Sequence, residues 1–208
     1  MSDILRQVDE ELRKEKLSNF WKKYKYFFIF FVLLMILAVS GIQFNQYKKS
    51  ENRKIFVEKY FESFDSVNVE AKINNLKEIN APNVFTDQLL NLQIANSYFE
   101  NENDKQGLIH LEKIFNQNEK SLLGDLALYK YIMFQLDTLS KNEISKLIEN
   151  QSKIDHDFEY LFKELIAIKM LIDGEVYESK REFELILNNT DIPFDIKTRA
   201  EKYINTIE

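Results

Sequence analysis

A single uninterrupted apolar run near the N-terminus constrains this chain more than any other feature. Residues 27–42, FFIFFVLLMILAVSGI, contain nothing more polar than Ser40. As a helix, the segment from Tyr26 to Phe44 is about 28 Å long, and the hydrocarbon core of a bilayer is about 30 Å thick. A helix that is apolar on every face is rare in the core of a soluble protein. The run therefore predicts a transmembrane helix over residues 26–44.

Aromatic and basic side chains flank the predicted span on both sides. Amphipathic rings favour the membrane–water interface, and lysines can extend their ammonium groups toward water. The lipid bilayer is thus an expected partner through one helix. The residues predicted to lie at its interfaces are Trp21, Tyr24, Tyr26 and Tyr47.

The same run has features of a cleaved signal peptide and of a retained anchor. Ala38-Val39-Ser40 places small residues at the two positions that a signal peptidase reads. However, the 25 residues that precede the run carry mixed charge, whereas a signal peptide begins with a short basic region. The pattern favours a retained anchor, with cleavage as the alternative.

Basic residues near the span predict its orientation, because loops rich in Lys and Arg stay in the cytoplasm. Residues 13–25 contain six of them and residues 43–58 contain four. We therefore expect a single-pass protein of a bacterial inner membrane with a cytoplasmic N-terminus. The predicted divisions are a cytoplasmic amphipathic tail (1–25), the transmembrane helix (26–44) and a periplasmic domain (45–208).

The tail itself has a helical pattern. Ile4, Leu5, Val8 and Leu12 share one helical face, and charged residues occupy the others. This predicts a short amphipathic helix. It could dock a cytoplasmic partner or lie on the inner leaflet, or it could serve only to set the topology.

Composition favours helices for the rest of the chain. Four Gly and two Pro in 208 residues are too few for the frequent turns of an all-β fold. The absence of Cys excludes disulfides and thiol chemistry. A net charge of -6 argues against nucleic acid as a partner, since nucleic-acid-binding surfaces are basic.

Two stretches of the predicted periplasmic domain repeat one arrangement of small and large residues. Two antiparallel helices that cross closely need a small residue on each, with bulky residues around the crossing. The first stretch, residues 85–115, has a polar turn between two apolar segments. Its predicted packing residues are Ala95, Tyr98, Gly107, Leu111 and Ile114.

The second stretch, residues 160–187, repeats this arrangement around a turn at residues 173–175. Its predicted packing residues are Ala167, Met170, Ser179, Phe183 and Ile186. Ala95 and Ala167 are separated by about twice the 34-residue period of a tetratricopeptide repeat (TPR).

A degenerate helix pair lies between these two stretches, in residues 122–149. Ala127 is its expected small residue, residues 140–142 its expected turn, and Leu139 stands where the second small residue belongs. A final helix after Pro193 would cap the stack. The predicted fold class is all-α: one N-terminal transmembrane helix followed by a TPR-like α-solenoid, with a general helical bundle as the alternative.

The outline, and above all the opening DILRQVDEELRKEKL…FWKKY, resembles the YfgM-like family of bacterial envelope proteins, in particular its alphaproteobacterial branch. The resemblance implies an ancillary subunit of the SecYEG translocon that works with a membrane-anchored periplasmic chaperone and with exported polypeptides. The middle pair departs from the repeat pattern, and the usual proline after the first pair is absent. The family offers no catalytic motif to carry over.

Catalytic patterns are missing from the sequence. The two histidines are His110, expected to pack or lie on the surface, and His156 in the segment Asp155-His156-Asp157, which is more typical of a capped helix start than of a metal site. Phosphate-binding loops and serine elbows are absent. We therefore expect no enzyme activity, no cofactor and no metal. The expected function is a protein-binding scaffold, with an envelope-organising or cell-division coordinating TPR protein as the alternative.

Overall fold

The computed structural model describes residues 2–117, 121–151 and 154–207, apart from the side chains of residues 2–12, 28, 29, 156 and 157. Every regular element in those residues is helical, which confirms the all-α class. A short 3₁₀ helix, Ser63–Asp65, follows the first α-helix. The α-helices are α1 (Ser2–Glu62), α2 (Val69–Lys77), α3 (Val84–Glu100), α4 (Asp104–Phe115), α5 (Leu122–Phe134), α6 (Lys141–Glu149), α7 (His156–Ile172), α8 (Val176–Asn188) and α9 (Phe194–Ile207).

One continuous helix replaces the two helices that the sequence predicts near the N-terminus. The tail helix and the apolar span are both parts of the 61-residue α1, which ends at Glu62. No proline interrupts this stretch and Gly41 is its one glycine, so nothing ends the helix before Glu62. The chain forms two compact units, Met1–Lys54 and Ile55–Glu208, and the predicted boundary after Phe44 lies inside α1.

Asparagine and serine side chains fix where the helices of the second unit begin. A side-chain oxygen at the N-cap accepts a hydrogen bond from a backbone N–H that the helix leaves unpaired. Five helices start this way, and their N-cap residues are Asn68, Asn83, Asn103, Ser121 and Ser140.

Helices α3 and α4, which are neighbours in the chain, pack antiparallel. Near the middle of α3, Asn91 contacts His110 of α4, with 2.9 Å between Oδ1 and Nδ1. At the end of α3, Phe99 instead lies over Gly107, near the start of α4. The two helices therefore form an antiparallel helical hairpin.

Helices α3, α5, α7 and α9, which we call the odd helices, also contact one another. From α3 to α5, the Ser121 hydroxyl donates to Gln88 Oε1 at 2.7 Å and the Lys130 ammonium donates to Asn96 Oδ1 at 2.6 Å. The residue nearer the start of α3 contacts the start of α5, and the residue farther along α3 contacts a residue farther along α5, so the two helices are parallel. Later pairs of odd helices are also in contact, through the rings of Tyr129 and Phe162 and through the ion pair of Glu164 with Arg199. Just before α7, the Asp155 N–H donates to the Asp125 carboxylate of α5.

Three apolar clusters form the core of the second unit. One joins the end of α1 to α2 and α3, one joins α3 through α7, and one joins α7, α8 and α9. The largest fully buried side chains include Phe162, Phe183, Leu76, Leu111 and Ile114.

The prediction of a turn at residues 140–142 is wrong. The chain turns between Phe134 and Ser140, and Ser140 is the N-cap of α6. The Ser140 hydroxyl accepts from the Glu143 N–H while the Glu143 carboxylate accepts from the Ser140 N–H, which is a capping box. Leu139, expected at the second small position, lies in the turn instead.

Candidate protein-binding surface and membrane anchor

The first group of predicted packing residues is mostly buried. Ala95, Leu111 and Ile114 have no exposed surface, and Gly107 is also buried. Tyr98 is half-buried, and its ring stacks on His110 of α4 with 5.7 Å between centroids. The structure thus places all of these residues at or beside the contact between α3 and α4.

The second group meets between α7 and α8. The Ser179 hydroxyl donates a hydrogen bond to the backbone carbonyl of Ala167 at 2.8 Å, so the two small residues touch. Phe183 and Ile186 are buried on α8. Met170 is half-buried and lies on the partly exposed side of α7.

Phe99 is a packing residue that the sequence analysis missed. A Cβ added at Gly107 would lie 2.6 Å from the Phe99 ring, so the ring occupies the space that a side chain would need. Phe99 also stacks on Phe134 of α5, with 3.9 Å between ring centroids. The available signal is that an aromatic residue recurs at the end of α3 and of α5.

His110 is buried within a polar network rather than exposed for chemistry. The Asn91 amide nitrogen donates to the Asp87 carbonyl at 2.9 Å, which turns its Oδ1 toward the histidine. His110 Nδ1 therefore donates to Asn91 Oδ1. The pKa of His110 is lowered to about 4, first by burial and then by the positive charges of Lys113 and Lys77.

The odd helices present one partly exposed surface, which we call the odd-helix face. On each of three helices its residues follow helical spacing, so they share one side of that helix. Apolar side chains and amides dominate the surface. Its members are Leu89, Gln93 and Asn96 of α3, Leu126, Lys130 and Met133 of α5, and Lys163, Ile166 and Met170 of α7.

Helices α4, α6 and α8, the even helices, expose a different chemistry. Most of the exposed positions of α4 and α6 are charged, as expected for a solvated helix face. Helix α8 exposes charged residues together with Val176, Tyr177 and Leu185. The exposed charged residues include Lys105, Glu112 and Lys113 of α4, Glu143 and Lys146 of α6, and Glu178, Arg181 and Glu184 of α8. The odd-helix face is therefore the better candidate for binding another protein.

Helix α1 supplies the candidate anchor. Within the part of the chain that the structure describes, it is the one helix long and apolar enough to cross a membrane by length and composition. None of the described side chains in its apolar window is buried. The predicted interface residues are exposed too: Trp21 58%, Tyr24 37%, Tyr26 72% and Tyr47 65%. A signal sequence near an N-terminus can also meet this criterion of length and composition.

The described side chains contain no candidate metal site, because no group of three or more His, Cys, Asp and Glu residues lies close together among them. The side chains of His156 and Asp157, singled out in the sequence, lie outside the described residues. The backbone of this segment forms the start of α7, where the Asp155 carbonyl accepts from the Phe158 and Glu159 N–H groups.

Comparisons with known proteins identify no relative. A scan against protein-family models, a search of curated proteins and a search of solved structures each gave no significant match to this chain.

Proposed function

We propose that this chain is a membrane-anchored protein-binding scaffold whose TPR-like domain binds other proteins through the odd-helix face. In this proposal α1 is retained as a single-pass anchor, the N-terminus is cytoplasmic and the helical domain is periplasmic. The favoured role is that of an ancillary subunit of the Sec translocon that assists periplasmic chaperones and exported polypeptides.

The register between odd helices carries the proposal. Hydrogen bonds join residues 33 apart between Gln88 and Ser121, 34 apart between Asn96 and Lys130, and 35 apart between Glu164 and Arg199. A TPR repeats after 34 residues, so stacked helix pairs give contacts at this separation. A general helical bundle does not require one fixed separation between its neighbouring helices.

The exposed chemistry supports protein as the ligand. Interfaces between proteins are apolar and poor in charge at their centres, and the odd-helix face has that character while the exposed sides of α4 and α6 do not. Residues 45–208 carry 21 basic and 29 acidic residues, and this excess of acid disfavours acidic partners and anionic lipid heads as ligands of the whole domain.

A membrane anchor would allow this domain to bind membrane complexes even where its intrinsic affinity for them is low. A domain held at a membrane encounters other membrane complexes at a high effective concentration. The resemblance to the YfgM-like family is what favours the translocon among those complexes.

The test is affinity purification of the full chain in mild detergent, followed by mass spectrometry. We expect translocon subunits and a periplasmic chaperone to co-purify. Met133→Lys places a charge on the odd-helix face where the native side chain is 45% exposed, and it should reduce this recovery. Leu185→Lys is the matched control on α8, where the leucine is 56% exposed, and recovery should persist.

Other results would change the proposal. Partners that do not depend on Met133 would contradict binding through the odd-helix face. Recovery of division or cell-wall proteins in place of the translocon would favour the envelope-organising alternative.

A further inference from the structure

Lys130 stands out on the odd-helix face because it is half-buried among apolar and amide side chains. Its ammonium donates to the side-chain oxygen of Asn96 at 2.6 Å, a neutral acceptor. Among the described residues, no carboxylate forms an ion pair with it. A partly desolvated positive charge with only a neutral partner remains able to attract an anion.

Burial also lowers the pKa of Lys130, so its charged form is costly in the free protein. A bound carboxylate would offset that cost, since an opposite charge favours the protonated amine. The lysine thus has a stronger electrostatic reason to bind an acid than a fully solvated lysine does.

A second lysine lies at the matching position of the next odd helix. Tyr129 of α5 contacts Phe162 of α7, with 6.2 Å between ring centroids, and Lys130 and Lys163 directly follow them in the chain. Asn96, Lys130 and Lys163 therefore form one row across α3, α5 and α7. The axes of packed helices are about 8–10 Å apart. An extended peptide advances about 3.3 Å per residue, so about three of its residues would span the distance from one odd helix to the next.

We propose that the odd-helix face binds an extended polypeptide segment that carries an acidic side chain, and that Lys130 receives its carboxylate. This inference rests on the proposed function and adds the charge of the ligand. Leu126 and Ile166 provide apolar contact beside the row, and the amides of Gln93 and Asn96 can donate to and accept from a peptide backbone. Among its described residues the odd-helix face has two lysines, and the Lys163 ammonium lies 5.4 Å from the centre of the Tyr160 ring. A single acidic side chain at Lys130 therefore fits better than a polyanion.

The test uses a phage-displayed library of random 12-residue peptides, selected against the full chain in nanodiscs. Wild-type protein should enrich peptides with Asp or Glu at one position between apolar residues. Lys130→Gln should remove this acidic preference while the apolar one remains, and Lys130→Glu should replace it by a preference for Lys or Arg. For an enriched peptide, changing its acid to the amide should weaken binding by about tenfold.

The possible failures are distinguishable. Enriched peptides without an acidic position, or an acidic preference that survives in Lys130→Glu, would overturn this inference and leave the proposed function standing. Absence of enrichment over empty nanodiscs, or enrichment unaffected by Met133→Lys, would overturn the proposed function as well. Lys130→Gln should melt no lower than wild type, because it removes a half-buried charge, and this measurement controls for folding.

Discussion

Gly107 has no space for a side chain, because a Cβ there would lie 2.6 Å from the Phe99 ring. We expect Gly107→Ala to lower the free energy of unfolding by about 1–3 kcal/mol, the usual cost of overpacking. Gly124→Ala is the matched control, since the nearest atom to its Cβ would be Ser121 Oγ at 3.4 Å. That change should be close to neutral or stabilising, because alanine favours helix over glycine. Urea denaturation measures both.

A double-mutant comparison of Phe99 and Gly107 tests whether the Phe99 ring is the cause of this loss of stability. If Phe99 creates the clash, Gly107→Ala should cost less in a Phe99→Leu background, because the smaller side chain can move aside. An equal cost in both backgrounds would place the origin of the effect elsewhere.

His110 should make stability depend on pH. Its pKa is about 4 in the folded protein against an ordinary value of 6.5. Between these values the unfolded chain binds more protons, so the free energy of unfolding falls as the pH drops from 6.5 toward 4. His110→Gln should flatten this dependence in denaturation curves recorded over that range. An unchanged slope would mean that other groups control it.

At the scale of elements, one buried ion pair attaches α9 to α7. Glu164 has 3% of its surface exposed, and its two carboxylate oxygens accept from Nε and Nη2 of Arg199, each at 2.7 Å. The carboxylate raises the pKa of Arg199 above its ordinary value, so the arginine stays charged.

Removing the arginine should therefore loosen the last helix. Arg199→Met leaves a buried carboxylate without its partner, and we expect a loss of about 1–3 kcal/mol, since the arginine is partly exposed. Hydrogen exchange of the α9 amides should speed up in this variant. Adding Glu164→Gln should recover part of the loss, because it removes the unpaired charge. Unchanged exchange in α9 would contradict this role.

The helices of the second unit could be predicted because their signals are local. Apolar periodicity, Asn and Ser caps and polar turns all lie within one helix or its ends. Ser140 and Glu143 also form a sequence pattern typical of a capping box at a helix start. The comparison with the tetratricopeptide repeat instead predicted a turn at residues 140–142, and that prediction is wrong because the capping box begins α6 there.

The candidate surface was harder to predict because it depends on contacts between helices. The pairing of Asn96 with Lys130, and of Phe99 with both Gly107 and Phe134, joins residues on different helices. Helical periodicity shows which residues share a side of one helix, but it does not give the register between two helices. Met170, which the sequence predicts to pack, is half-buried and also belongs to the odd-helix face.

At the scale of the whole molecule, retention of α1 is the first prediction to check. Intact mass analysis of the protein from bacterial membranes should find the N-terminus at Met1 or Ser2, because the charged tail before the apolar run is unlike a signal peptide. A tag after Glu208 should be digested by protease added to spheroplasts, as the six-to-four basic bias predicts. A mature N-terminus at Gly41 would contradict the anchor.

Site-specific photo-crosslinking of the full chain in living cells tests the central claim most directly. A photoreactive amino acid is placed at Gln93 or Met133 on the odd-helix face, and at Glu112 or Glu184 on the even helices as matched controls. A protein-binding scaffold that uses the odd-helix face predicts discrete crosslinked partners from the first two positions and few from the controls. Equal crosslinking from both faces, or crosslinks from the even helices alone, would contradict it.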